Sequence, residues 1–160
     1  VQERYAVSSY VEAQIARWRR QGYVPDLDHY IYNADFNPIP EAGSLSQVNA
    51  TDEDRGFVAF ALTYRAVTVH SLGSPQQLVE TGQFLLQITR SDGYALQDRP
   101  TDINNVAGIG IRPGRFYVPF VVPPRSSWET TVSNLDTIDQ WFVQVAFHGA
   151  KYRLRPRGAR

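Results

Sequence analysis

The sequence predicts an all-β domain, an antiparallel β-sandwich carrying one N-terminal α-helix. Three observations lead there. From residue 57 onward, runs rich in Val, Ile, Phe, Tyr and Thr alternate with turn signals about every 8–14 residues, the spacing of a sandwich or barrel. Only the segment before Pro25 shows a helical period. The chain has 160 residues, 42% of them hydrophobic and 12% aromatic, enough for one domain with a substantial core.

The helix comes first. In "SSYVEAQIARWRRQGY", Ser9 and Glu12 form a capping box. Val11, Ile15 and Trp18 recur at i, i+4 and i+7 as one apolar stripe. Arg17, Arg19 and Arg20 crowd the last turn, where cations favour the helix dipole. Gly22 supplies a left-handed stop and Pro25 a breaker, so the helix is expected over 9–21.

Strands follow. "HYIYNADF" (29–36) has the aromatic and branched content of a short strand. "NPIPEAGSLSQVNATDEDRG" (37–56) carries Pro, Gly and polar residues without period and reads as a long loop. "FVAFALTYRAVTVHS" (57–71) is too long for one ordinary strand, which predicts a bend or bulge near Thr63–Arg65. "QFLLQITRS" (83–91) is a strand, and the Asp-Gly pair of "SDGYAL" marks a hairpin turn. "VAGIGIR" (106–112) and "FYVPFVV" (116–122) come next, and Pro119 places the latter at an edge or bulge. "SSWETTVSN" (126–134) alternates Trp128, Thr130 and Val132 against polar neighbours. "WFVQVAFHGAKYRL" (141–154) closes the fold, with Val143, Val145 and Phe147 on the core face and His148 turned outward before a glycine bend. The organisation is a single domain: a helical arm over 1–25, a sandwich over 29–153 and a basic, poorly ordered tail over 154–160.

Composition narrows the chemistry. The formal net charge is zero, which argues against nucleic acid and anionic membranes as partners. Cysteine is absent, which removes disulfide, thiolate and Fe–S chemistry. No run of about 18 apolar residues crosses a membrane, and "VQERYAVSSY" lacks the basic and apolar regions of a signal peptide. Lys151 is the only lysine, and the other cations are arginines, whose planar fork suits fixed interfacial contacts. Codon usage of a GC-rich genome explains the same bias.

No catalytic pattern stands out, and no cofactor or metal is expected. There is no G-x-S-x-G elbow and no phosphate-binding loop; "GIGIRPG" lacks the strand-to-helix context. "TDEDRG" places Asp52, Glu53 and Asp54 side by side in a loop, a solvated face rather than two opposed carboxylates. His29, His70 and His148 stand alone. The nearest ligand cluster, Asp26, Asp28 and His29 of "DLDH", reads as a turn whose aspartates bond the local backbone. "NAT" (49–51) fits a glycosylation acceptor, a pattern that short sequences also produce by chance.

The stretch "VPFVVPPRSSWETTVSNLDTIDQWFVQVAFHGAKYR", with "DGYAL" and "GRFYVPFVV" before it, resembles the small jelly-roll structural proteins of tailed bacteriophages. The resemblance covers residues 57–153 and lies in a Pro-containing turn, an "S-x-W-x-x-x-V-x-N" strand and a final strand ending Phe147, His148, Gly149, Ala150, Lys151, Tyr152. It implies a jelly-roll-like sandwich and a non-enzymatic virion protein, a capsid decoration or head–tail connector or collar component. Its partners would be major capsid or neck proteins and copies of itself. The contact residues expected on this reading are Val11, Ile15, Arg17, Trp18 and Arg20 on the helix, His148 on the last strand, Arg153 at the end of the sandwich, and Arg155 and Arg157 in the tail. The helix stripe covers either its own sheet or a neighbour.

The alternative is a carbohydrate-binding module that stacks sugars on Tyr30, Tyr32, Tyr94, Tyr117 and Trp128. A cupin-like enzyme is disfavoured, because that scaffold uses two histidines one residue apart on a strand.

Overall fold

The computed structural model describes residues 9–69, 83–109 and 112–158, without the side chains of residues 9, 10 and 117. His70, the Tyr117 ring, Arg160 and the Ser9 side chain of the expected capping box therefore lie outside the description.

Among the described residues, helix α1 (Ser9–Arg20) is followed by eight strands: β1 (Tyr23–Ile39), β2 (Ser44–Ala50), β3 (Gly56–Thr68), β4 (Phe84–Arg90), β5 (Thr101–Asp102), β6 (Gly114–Val122), β7 (Ser127–Asn134) and β8 (Trp141–Pro156). They form two four-stranded antiparallel sheets in the orders β1-β8-β3-β6 and β2-β7-β4-β5. The pairs β1–β8, β2–β7, β3–β6 and β4–β5 nest like one long hairpin. Rolling that double ribbon brings β3 onto β8 and β4 onto β7. This is the strand order of a jelly roll.

The core lies between the sheets. Trp128, on β7, is its centre and is fully buried. The first sheet supplies the rings around it: Phe57 stacked at 5.7 Å, Tyr32 edge-on at 5.0 Å, Phe147 at 5.4 Å and Phe120 at 6.3 Å. Val132, Leu86, Ile88 and Phe84 extend the same layer from the second sheet. The predicted core set Val143, Val145 and Phe147 is buried here.

α1 crosses the outside of the first sheet. Gly22, at φ +85°, ends it in the left-handed region that a side chain would resist. Trp18 lies 4.6 Å from the Tyr152 ring and packs with Val58, Leu27, Val121, Ala150 and Leu154. With α1 on one face and the core on the other, β3 is buried almost continuously from Gly56 to Tyr64, which explains its unbroken apolar run.

Four expectations are corrected. The supposed loop 37–56 contains the end of β1 and all of β2. β2 reads as loop because its outward face is Ser44, Ser46 and Val48; its pairing is made by β7, with Ser44 Oγ donating to Ser133 Oγ at 2.7 Å and Ser46 Oγ at 2.7 Å from Thr131 Oγ1. The β3 bulge falls between Ala59 and Ala61, where the strand must meet two partners, rather than at Thr63–Arg65. "DLDH" is not a turn but part of β1. The basic tail is ordered as far as Pro156, because β8 pairs to Tyr23, and Arg157 N–H then donates to Gly22 C=O at 2.7 Å. Pro119 does sit at an edge: against β3, the register of β6 jumps from Ala59↔Phe120 to Ala61↔Arg115, so residues 116–119 bow out of the sheet.

Candidate functional site

The surface with the strongest claim is an open groove of about 390 Å³ between α1, the bowed segment of β6 and the turn after β4. Gln14, Arg17, Trp18 and Gln21 line it from the helix, Arg90 and Tyr94 from the turn, and Val118 to Val121 from β6. Val118 is 71% exposed and Tyr94 52% exposed. The bow around Pro119 breaks the in-out alternation of β6, and this is what turns Val118 to solvent.

Arg90 is the strut of this groove. Its Nη1 donates to Val121 C=O at 2.5 Å, and its Nε donates to Asp92 Oδ1 at 2.9 Å. Its guanidinium lies 5.0 Å from the centroid of Tyr94. The hydrogen bond from Arg90 holds the Asp92 carboxyl down at about 2. Because Arg90 ties the second sheet to the edge of the first, its charge is committed locally. Arg17 is exposed and makes no ion pair among the described residues, so of the two arginines lining this groove it is the one available to a partner.

The expected contact residues divide into four groups. Arg17 and the rim of Trp18 face this groove. Val11 and Trp18 are otherwise buried, Ile15 is half-buried, and the stripe they form therefore docks at home rather than on a neighbour. Arg20 and Arg157 are exposed away from any ion pair among the described residues. Arg153 and Arg155 belong to a lattice where β1 and β8 outrun the second sheet: Arg155 pairs with Asp26 at 2.9 Å, Arg153 with Asp54, Arg55 with Asp28, and Lys151 with Asp52 at 2.9 Å. The Lys151 ammonium also lies 4.1 Å from the Tyr30 centroid. Hydrogen bonding to Asp52 raises the Lys151 pKa. Arg55, Lys151 and Arg153 pin the loop before β3, and Arg155 ties β8 to β1.

His148 is corrected from a strand-end residue to a mid-strand one, because β8 continues eight residues past it to Pro156. It faces outward, half-buried, with Nε2 at 2.8 Å from Thr63 Oγ1. Burial first, and repulsion from His29 second, push its pKa below the ordinary value. The folded state therefore refuses a proton that the unfolded chain accepts, and stability falls as pH drops through about 6.5. The expected result is that His148→Gln, which keeps a hydrogen-bonding group for Thr63, flattens stability against pH just below that point. Urea titrations in steps of pH, compared with wild type, measure it; parallel curves would reject the assignment.

Among the described residues, no group of three His, Asp or Glu side chains converges as metal ligands. In "DLDH", strand alternation sends Asp26 and Asp28 to Arg155 and Arg55 on one face and His29 to the other. No helix among the described residues is long and apolar enough to cross a membrane. Of the sugar-stacking set, Trp128 is withdrawn into the core, while Tyr94 and Tyr30 stay exposed.

No family model matches the chain, and no curated protein matches it.

Val118 and Arg90 carry no local signal in the sequence. A valine inside an apolar strand reads as core, and only the length mismatch with β3 exposes it. Arg90 ends an ordinary strand, and its reach to Val121 is set by the stacking of the two sheets.

Proposed function

We propose that the protein is a non-enzymatic structural module that works by protein–protein contact, a virion component of tailed-bacteriophage type that decorates or stabilises the capsid or joins the head–tail connector. The observation that carries this reading is Val118, an apolar side chain 71% exposed on a rigid jelly-roll edge, with Arg17 beside it in an open groove. Set in a concave site with an arginine and aromatics, it has the composition of an interface centre. Ile138 and Leu135, both exposed in the turn before β8, add apolar surface at another corner. The aromatic core gives a stiff platform, which suits a part whose work is to hold neighbours in place. The partners on this reading are capsid or neck proteins and further copies of the chain, and its location is the virion.

Particles purified from a producing host, analysed by mass spectrometry and electron microscopy, test the reading. The chain should occupy symmetric positions with the groove against a neighbour. Val118→Lys is expected to cut its copy number on particles at least about tenfold, because it buries a second cation beside Arg17 in the contact. The same change should leave monomer stability within about 0.5 kcal/mol, since the Val118 side chain is 71% exposed in the monomer. Absence from particles, or full occupancy by the variant, would end the proposal. A second reading keeps one supporting observation: Tyr94, exposed beside Gln14 and Gln21, has the aromatic-plus-amide chemistry of a sugar site. Glycan-array binding that Tyr94→Ala abolishes would favour it.

A further inference from the structure

The four sheet edges are not equally guarded. β5 has two residues. β2 has seven and lies close under β1, with Asn49 bonded to it. β6 is broken by its bow and by Pro119. β1 is a 17-residue strand whose register with β8 runs without a shift from Tyr23 to Phe36. Its residues 28–31 are all exposed, with Ile31 at 40%. Bulges, prolines, charges and short length are the usual protections of an edge; β1 has Pro25, Asp26 and Asp28 towards its start, and from His29 to Ile31 it has none of them.

One hydrogen bond fixes which backbone groups point outward. Asn49 Nδ2 donates to Asn33 C=O at 2.9 Å, from the side away from β8. In an antiparallel strand, alternate residues turn both N–H and C=O to the same side. With no shift of register, Pro25, Leu27, His29, Ile31 and Asn33 therefore all face the open edge. No main-chain hydrogen bond among the described residues uses that edge at Leu27, His29 or Ile31. Pro25 has no N–H to offer, and the Asn33 carbonyl is taken. The usable window is Leu27 to Ile31, and it is symmetric about His29.

We propose that this edge pairs antiparallel with the β1 edge of a second copy, about a two-fold axis through His29, joining two four-stranded sheets into one of eight strands. A second copy is chosen because the residues of this window complement one another across a two-fold axis. The axis sets Leu27 against Ile31 twice and His29 against His29, three facing pairs that exchange about six main-chain hydrogen bonds. Apolar meets apolar on the outer face, and Asp28 meets the Tyr30 hydroxyl on the other. Moving the axis to Asp28 sets Asp28 against its own copy, and moving it to Leu27 sets Asp26 against Asp28. Moving it to Tyr30 calls on the occupied Asn33 carbonyl. Only the His29 register avoids all three. A net charge of zero adds no long-range repulsion between copies.

The pairing deepens the assembly reading by naming one partner, but it is tested in solution without particles, so either proposal can fail while the other stands. Sedimentation equilibrium of the full chain should show a monomer–dimer equilibrium, and Ile31→Lys should raise the dissociation constant at least about tenfold while leaving the melting temperature of the monomer in place. The chain has no cysteine, which permits a sharper test. Facing residues of this kind lie about 5.5 Å apart at Cα, inside the span of a disulfide. His29→Cys should oxidise to a covalent dimer, while Val48→Cys, exposed on the other sheet, should not. A wild type that stays monomeric at every concentration overturns the proposal. So does a dimer indifferent to Ile31→Lys, or cross-linking no greater at position 29 than at 48.

Discussion

Trp128→Ala is expected to lower the unfolding free energy by about 3–5 kcal/mol, the range for deleting a fully buried large aromatic. The upper half of that range applies, for a geometric reason. Trp128 touches Phe57, Tyr32, Phe147 and Phe120 at once, and all four belong to the opposite sheet. Its removal leaves a void that no single neighbour can fill, because each ring is anchored on a different part of a stiff sheet. Edge-on ring pairs add about 0.5–1.5 kcal/mol each beyond buried area, and three of these contacts are of that kind. Trp128→Phe is the control. It keeps one ring in place and removes an indole N–H that has no acceptor among the described residues, so the loss should be well under half as large. Urea unfolding with the slope held constant measures both. A loss below about 1 kcal/mol for the alanine variant would mean the two sheets do not depend on this residue for their contact.

Gly149→Ala is expected to cost about 3 kcal/mol or more, although it adds a single methyl group. A Cβ at this position would lie 2.1 Å from the Val58 carbonyl oxygen and 2.8 Å from a ring carbon of Phe57. The nearer atom is backbone, in the middle of a paired strand, and cannot swing aside as a side-chain end would. Relief requires β3 and β8 to part beside the bulge at Ala59–Ala61, which loosens the centre of the first sheet. Loss of near-UV circular dichroism and a lowered melting temperature are the readouts; wild-type stability in the variant would show that the strands are not this close. The glycine in "FHGAKY" reads in the sequence as a bend that ends the strand. It is instead a point of contact within a strand that continues to Pro156.

Much of the architecture is legible from side-chain pattern. The α1 stripe, the stop at Gly22, the alternation of Trp128 with Thr130 and Val132, the core face of β8 and the edge position of Pro119 each follow from a local rule, because each depends on neighbours in sequence. β2 is illegible for the opposite reason. "SLSQVNA" has the composition of a loop, and its strand character is supplied by β7, more than eighty positions away in the chain. The tail misleads in the same way: Arg153 and Arg155 look like free cations until Asp54 and Asp26 are placed beside them. The groove was half visible. Arg17 and Trp18 could be named from the helix, but Val118, Arg90 and Tyr94 converge on them only when the sheets stack.

By itself the sequence determined the fold class, helix α1, the apolar face of most strands and the absence of cysteine chemistry, since periodicity and composition act over a few residues and survive without knowledge of partners. Tertiary structure alone decided the order in which the strands pair, the home docking of the helix, the pairing of Arg153 and Arg155 with aspartates and the exposure of Val118 and of the β1 edge. Those outcomes depend on which distant segments meet and on how unequal strand lengths are reconciled, and no local pattern carries that information.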